Sequence, residues 1–130
     1  MERNIFENIS PLDHRYSLRE RNFADYSKYF SEEATVKYQG KVELALVKAL
    51  KKRRLCSQKV VNEVAKAVEE LEVEKVYEEE ARTRHNTRAL VNCIREKISE
   101  ESRPFVHLSA TSFDIIDTAM RIKEVKEFKK

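Results

Sequence analysis

One glycine and two prolines stand in 130 residues, and that scarcity limits the fold before any pattern is read. Tight β-turns lean on Gly, Pro, Asn and Asp to reach their backbone angles, so a sheet with many turns is hard to build here. The phosphate cradles GxGxxG and GxxxxGK[ST] need two or three glycines, and Gly40 alone writes neither. Glu, Lys, Arg, Ala, Val and Leu are abundant instead, and these residues favour helices. The expected fold is all-α. A chain of this length holds one core and is too short for two.

The charge balance excludes some partners. Against 26 basic residues stand 23 acidic ones, a net charge of +3, far from the strongly basic face that goes with nucleic acid. The run Lys51-Lys52-Arg53-Arg54 reads either as a contact for phosphate or RNA, or as a helix end whose cations meet the negative end of the dipole. No aromatic residue interleaves with it as base stacking requires, which favours the helix end. No nucleic-acid partner is expected.

Cys56 and Cys93 are far apart and fit a reducing compartment with small apolar roles. There is no CxxC, no HExxH and no His pair at helical spacing, so no metal is expected. No apolar run has the character of a signal peptide or approaches the ~18 residues of a membrane span. A cytoplasmic chain with no membrane partner is the expectation.

Along the chain, residues 1–16 read as irregular, and Ser17 to Glu20 form a capping-box pattern opening a short helix to about Phe30. Ser31-Glu-Glu restarts a longer helix, with Tyr38, Val42, Ala45, Leu46, Ala49 and Leu50 as its apolar stripe. Ser57 is the expected N-cap of the next helix, with Val60, Val61, Val64, Val68 and Leu71 inward and a break near Leu71. Ala89, Leu90, Cys93, Ile94 and Ile98 mark a helix from Asn86 or Thr87. Pro104 disfavours helix at Arg103, and a last helix starts at Ser112, with Ser112 as its N-cap.

Three segments carry candidate chemistry. Arg15-Tyr16 places a guanidinium fork beside a phenol, which suits a phosphate; on local grounds alone, an ordinary surface Arg and a half-buried Tyr is the favoured reading. In "ARTRHNTRAL", His85 sits among Arg82, Arg84 and Arg88 at a helix junction, either a solvated turn or a site for an anion. "FVHLSATSFDIIDT", residues 105–118, has no Lys or Arg and many small polar groups among apolar neighbours. A cap explains Ser112, Asp114 and Asp117. It leaves His107, Ser109 and Thr111 in need of partners in an apolar setting. Hydroxyls and N–H groups at a helix start form a site for a carboxylate or phosphate.

Taken together, "SPLDHRYS", "TRHNTRALV" and "VHLSATSFDIIDTA" resemble the N-terminal domain of the adenylosuccinate lyase family, in the fumarase/aspartase superfamily. The likeness runs from about Ile9 to Met120. The third segment is also similar to the sister carboxymuconate cycloisomerases, and Arg15-Tyr16 after "SPLD" tips the choice.

The resemblance implies roles. Arg15 and Tyr16 hold the nucleotide phosphate; Arg84, His85 and Asn86 line the substrate, with His85 assisting the general acid; Thr111 and Ser112 bind the succinyl carboxylate. It implies β-elimination of fumarate from adenylosuccinate, giving AMP, and from the succinyl-aminoimidazole-carboxamide ribotide of purine biosynthesis. That chemistry uses no metal or organic cofactor, and it takes place in a homotetramer. Two positions depart from the pattern: Asn86 stands where the family usually has Asp, and His14 where a close branch has Gly.

The family's enzymes are more than three times this length. The expectation is therefore an N-terminal helical domain at 1–111, with 112–130 starting the helix that leads into a central bundle. Such a chain is expected to be inactive alone and to expose an apolar face at Ile115, Ile116, Ala119 and Ile122. The rival readings are another superfamily lyase, the cycloisomerase included, and a non-catalytic helical module using Lys51–Arg54.

Overall fold

The structure, a computed structural model, describes residues 5–7 and 23–128. The expected capping box at Ser17 and the Arg15-Tyr16 pair lie outside the described residues. Within them are six α-helices and no strand, in agreement with the all-α expectation. They are α1 (Phe23–Phe30), α2 (Glu32–Lys52), α3 (Gln58–Glu69), α4 (Val73–Thr83), α5 (Asn86–Glu96) and α6 (Ser112–Phe128).

Local chemistry sets the boundaries. Ser31 separates α1 from α2: its backbone is extended and its Oγ accepts from the Ala34 N–H at 3.1 Å, a capping bond that typically contributes about 1 kcal/mol. Glu32 and Glu33 open α2 and Lys51 and Lys52 close it, so the basic run is a helix end matched to the dipole. Ser57 stands at the N-cap position of α3, but its side chain makes no capping bond. The break expected near Leu71 is present at Leu71-Glu72, and it drops Leu71 into the core. Arg84 ends α4 in the left-handed conformation, at φ 51°.

The main core joins Val36 and Val47 of α2 to Val60, Val61, Val64 and Val68 of α3, Val76 of α4, and Leu90 and Ile94 of α5. A second cluster sets Ala34, Tyr38 and Val42 of α2 against Ile115 and Ala119 of α6. Helix α2 is thus a shared spine, and this corrects the expected single stripe. Ala45 and Ala49 are exposed, and Leu46 and Leu50 only half-buried. A helix between two partners needs a wide buried arc, and in α2 that arc takes in Gln39, Gly40 and Glu43. Gly40 serves no turn. A Cβ there would come within 2.8 Å of Leu71 Cδ1 and 3.2 Å of Val68 Cγ1, so its bareness permits a close helix crossing.

The expected exposed face of α6 is also corrected. Ile115 and Ala119 are buried and Ile116 and Ile122 half-buried, and Ile115, Ala119 and Ile122 pack in the cluster that α2 shares. Among the described residues of α6, the open apolar side chains are Phe113, Met120 and Val125 instead.

Candidate functional site

The α4–α5 junction and the start of α6 face each other across a cleft of about 500 Å³, lined by Thr83, His85, Thr87, Arg88, Val91, His107, Ala110, Thr111 and Ser112. Another groove of about 440 Å³ runs beside α1 and the start of α2, and among the described residues neither the His85 segment nor the Thr111-Ser112 segment contributes to its lining. The first cleft gathers residues of two of the candidate segments.

His85 reaches the cleft through its backbone. Arg84 turns the chain in the left-handed conformation, and His85 follows extended at φ −154° and ψ 112°. The ring then caps α5, its Nδ1 accepting from the Arg88 N–H at 3.1 Å. With Nδ1 accepting, the neutral ring carries its proton on Nε2. Nε2 lies 3.3 Å from Ser112 Oγ, so two motifs 27 residues apart meet.

At α6, Ser112 is the first helical residue rather than the N-cap, and Thr111 takes the cap position. The Thr111 N–H donates to Asp114 Oδ2 at 2.8 Å, the return arm of a capping box. Asp114 is therefore engaged in the cap. Ser112 is left with its hydroxyl facing His85.

Ser109 and Thr111 are exposed, so the expectation that buried surroundings oblige them to find partners is corrected. Across residues 105–118 only Val106 and Ile115 are buried. His107 does have a partner: its Nδ1 lies 2.6 Å from Oε1 of Glu43.

Not every candidate converges. Arg84 is exposed and outside the cleft lining. Asn86 faces a separate cleft of about 170 Å³ with Glu32, Gln39 and Tyr77, and its Oδ1 accepts from the Thr87 N–H at 2.7 Å. The tautomer of His85 is thus set by the Arg88 backbone, independently of the residue at position 86.

What the cleft offers is suited to an anion. Two helix starts border it, and the positive end of a helix dipole favours negative charge. Arg88 adds a positive charge, and Thr111 and Ser112 add hydroxyl donors. Among the described residues, no three His, Cys, Asp or Glu side chains converge as a metal site would need.

Sequence reading missed Glu43. Its signal was there: a carboxylate four residues from Gln39 and from Val47, on the buried arc of α2.

The chain is similar to named lyases. It is 35% identical to the adenylosuccinate lyase of Archaeoglobus fulgidus over 115 residues, which are 88% of this chain and 24% of that enzyme. It is 32% identical to the adenylosuccinate lyase of Methanocaldococcus jannaschii over 89% of this chain and 25% of that enzyme. With the Dictyostelium discoideum adenylosuccinate lyase it shares 31% identity over 94% of this chain and 29% of that enzyme. No family model and no solved structure matches it. The chain spans about a quarter of the length of the curated relatives it matches.

Proposed function

Because the chain is adenylosuccinate lyase-like over about nine-tenths of its length, we propose that it supplies the part of such a lyase that grips the substrate's carboxylate. The observation that carries this is the approach of His85 Nε2 to Ser112 Oγ at 3.3 Å, in a cleft between two helix starts. Thr111 and Ser112 hold the succinyl carboxylate there. His85, its tautomer set by the cap, keeps the Ser112 hydroxyl oriented and assists the group that protonates the leaving nitrogen. Arg15 and Tyr16 take the nucleotide phosphate, and Arg84 and Asn86 support the substrate from outside the cleft lining.

The reaction of the whole enzyme is then β-elimination. A base removes the Cβ proton, an acid protonates the leaving nitrogen, and fumarate departs from AMP or from the ribotide analogue. Hydrogen-bond donors at the helix start strengthen their hold as negative charge builds on the carboxylate during proton removal. Residues 1–111 act as the N-terminal helical domain, and residues 112–130 begin the helix toward a central bundle. The enzyme works as a homotetramer in the cytoplasm, a compartment that two unpaired thiols, Cys56 and Cys93, suit.

Titrating fumarate onto the isotope-labelled chain tests the cleft. Resonances of His85, Thr111 and Ser112 should move together and saturate, while those of Lys51–Arg54 stay still. Salt-dependent RNA binding through Lys51–Arg54, with an inert cleft, would replace this reading by that of a binding module.

A further inference from the structure

Beneath the cleft, Glu43 of α2 is fully buried, and only one of its carboxyl oxygens is engaged. Oε1 lies 2.6 Å from His107 Nδ1, while Oε2 has no hydrogen-bonding partner among the described residues. A buried carboxyl with an unsatisfied oxygen is expensive to keep. A second expense adjoins it. His107 sits in the left-handed region at φ 64°, as does Ser109 at φ 62°, with no glycine to ease the turn. Costs of this kind persist where the surroundings impose them, and they gather at functional sites.

The surroundings here do impose them. Arg95 of α5 donates to the carbonyls of Val106 at 2.9 Å and Arg103 at 3.2 Å, strapping down the turn that carries His107. Burial pushes the Glu43 carboxyl above the usual carboxylate range, against the opposing pull of His107 and of the Arg95 charge. The His107 ring also lines the cleft.

We infer that Glu43 is a positioning residue: it fixes His107 in its Nδ1–H form and leaves Nε2 as a hydrogen-bond and proton acceptor in the cleft. His85 is the opposite tautomer, with Nδ1 used by the α5 cap and the proton on Nε2. The cleft therefore presents one donor imidazole and one acceptor imidazole. Resting on the substrate reading above, this asks for an anion that also carries an N–H or O–H donor. A ligand proton passed to His107 Nε2 leaves the ligand one charge more negative. The resulting imidazolium faces the Glu43 carboxylate through Nδ1–H, the arrangement by which a buried carboxylate stabilises a charged ring.

Ring ¹⁵N spectra of the 130-residue chain, at alkaline pH where the ring is neutral, read the tautomer directly. Wild type should show His107 protonated at Nδ1. Glu43→Gln keeps an accepting oxygen and should keep that form. Glu43→Met fills the space without an acceptor and should release the ring to the Nε2–H form that free histidine favours. An Nε2–H ring in wild type overturns the inference, whatever the variants do. So does an Nδ1–H ring that survives in folded Glu43→Met. The spectra need no ligand, so failure of the fumarate titration leaves this result readable, and a wrong tautomer leaves that titration untouched.

Discussion

Replacing His85 with Ala removes two contacts of unequal weight. The first is the capping bond from the Arg88 N–H to Nδ1 at 3.1 Å. The second is the 3.3 Å approach of Nε2 to Ser112 Oγ, between exposed groups and near the limit of a hydrogen bond. Loss of a cap typically destabilises by about 1 kcal/mol, and the exposed second contact adds little. For a domain of this size, that is a fall in Tm of about 3–5 °C. His85→Asn separates the two contacts. Its amide oxygen occupies nearly the place of Nδ1 and is among the best capping acceptors, but nothing reaches Ser112. Thermal unfolding followed by far-UV circular dichroism should place His85→Asn within a few tenths of a kcal/mol of wild type, and His85→Ala clearly below it. A His85→Ala protein as stable as wild type would refute the capping role. A His85→Asn protein as unstable as His85→Ala would show that the ring acts by packing instead.

Gly40→Ala sets a helix-propensity gain of about 1 kcal/mol against overpacking of roughly 1–3 kcal/mol at Leu71 and the stiff Val68. The urea midpoint should fall by about 1 kcal/mol equivalent at unchanged m. The Glu79 carboxyl is held down to about 2 by the Arg82 guanidinium and the Asn92 amide. Its folded value lies below its unfolded one, so its stabilisation is present above pH 4.5 and fades as pH falls toward about 2; Glu79→Gln should flatten the Tm profile across that window. Lys123, buried with its Nζ donating to Thr35 Oγ1 at 2.8 Å, is pushed below its ordinary 10.5 by burial. The unfolded chain then holds that proton more tightly, so stability should rise as pH climbs toward 10.5, and Lys123→Met should abolish the rise.

The all-α fold, the break near Leu71 and the start of α5 were legible because they rest on local rules. Scarce glycine, valine spacing and the capping signal at Ser31 each act within a few residues. The arc of α2 was not legible in the same way. Its burial depends on two partners, α3 and α6, which approach from different sides. Single-stripe periodicity therefore gave Ala45 and Ala49 burial that neither partner supplies. The site divides similarly. His85 and Ser112 each stand out in their segments, but that they meet is a tertiary fact. Glu43 was overlooked because the carboxyl's partner lies 64 residues away, and no local pattern pairs α2 with the turn before α6. Asn86 looked like a neighbour of the same site, yet the first turn of α5 rotates it into another cleft.

The central claim is that the cleft joining His85 to Thr111 and Ser112 holds the substrate's carboxylate. Its most direct test is a chimera in which this chain replaces the stretch it matches in the Archaeoglobus fulgidus enzyme, assayed by fumarate release from adenylosuccinate. An active chimera should lose kcat/KM by roughly tenfold to a hundredfold on Ser112→Ala, the scale of one hydrogen bond to a charged group. An active chimera whose kcat/KM is unmoved by Ser112→Ala would contradict the account.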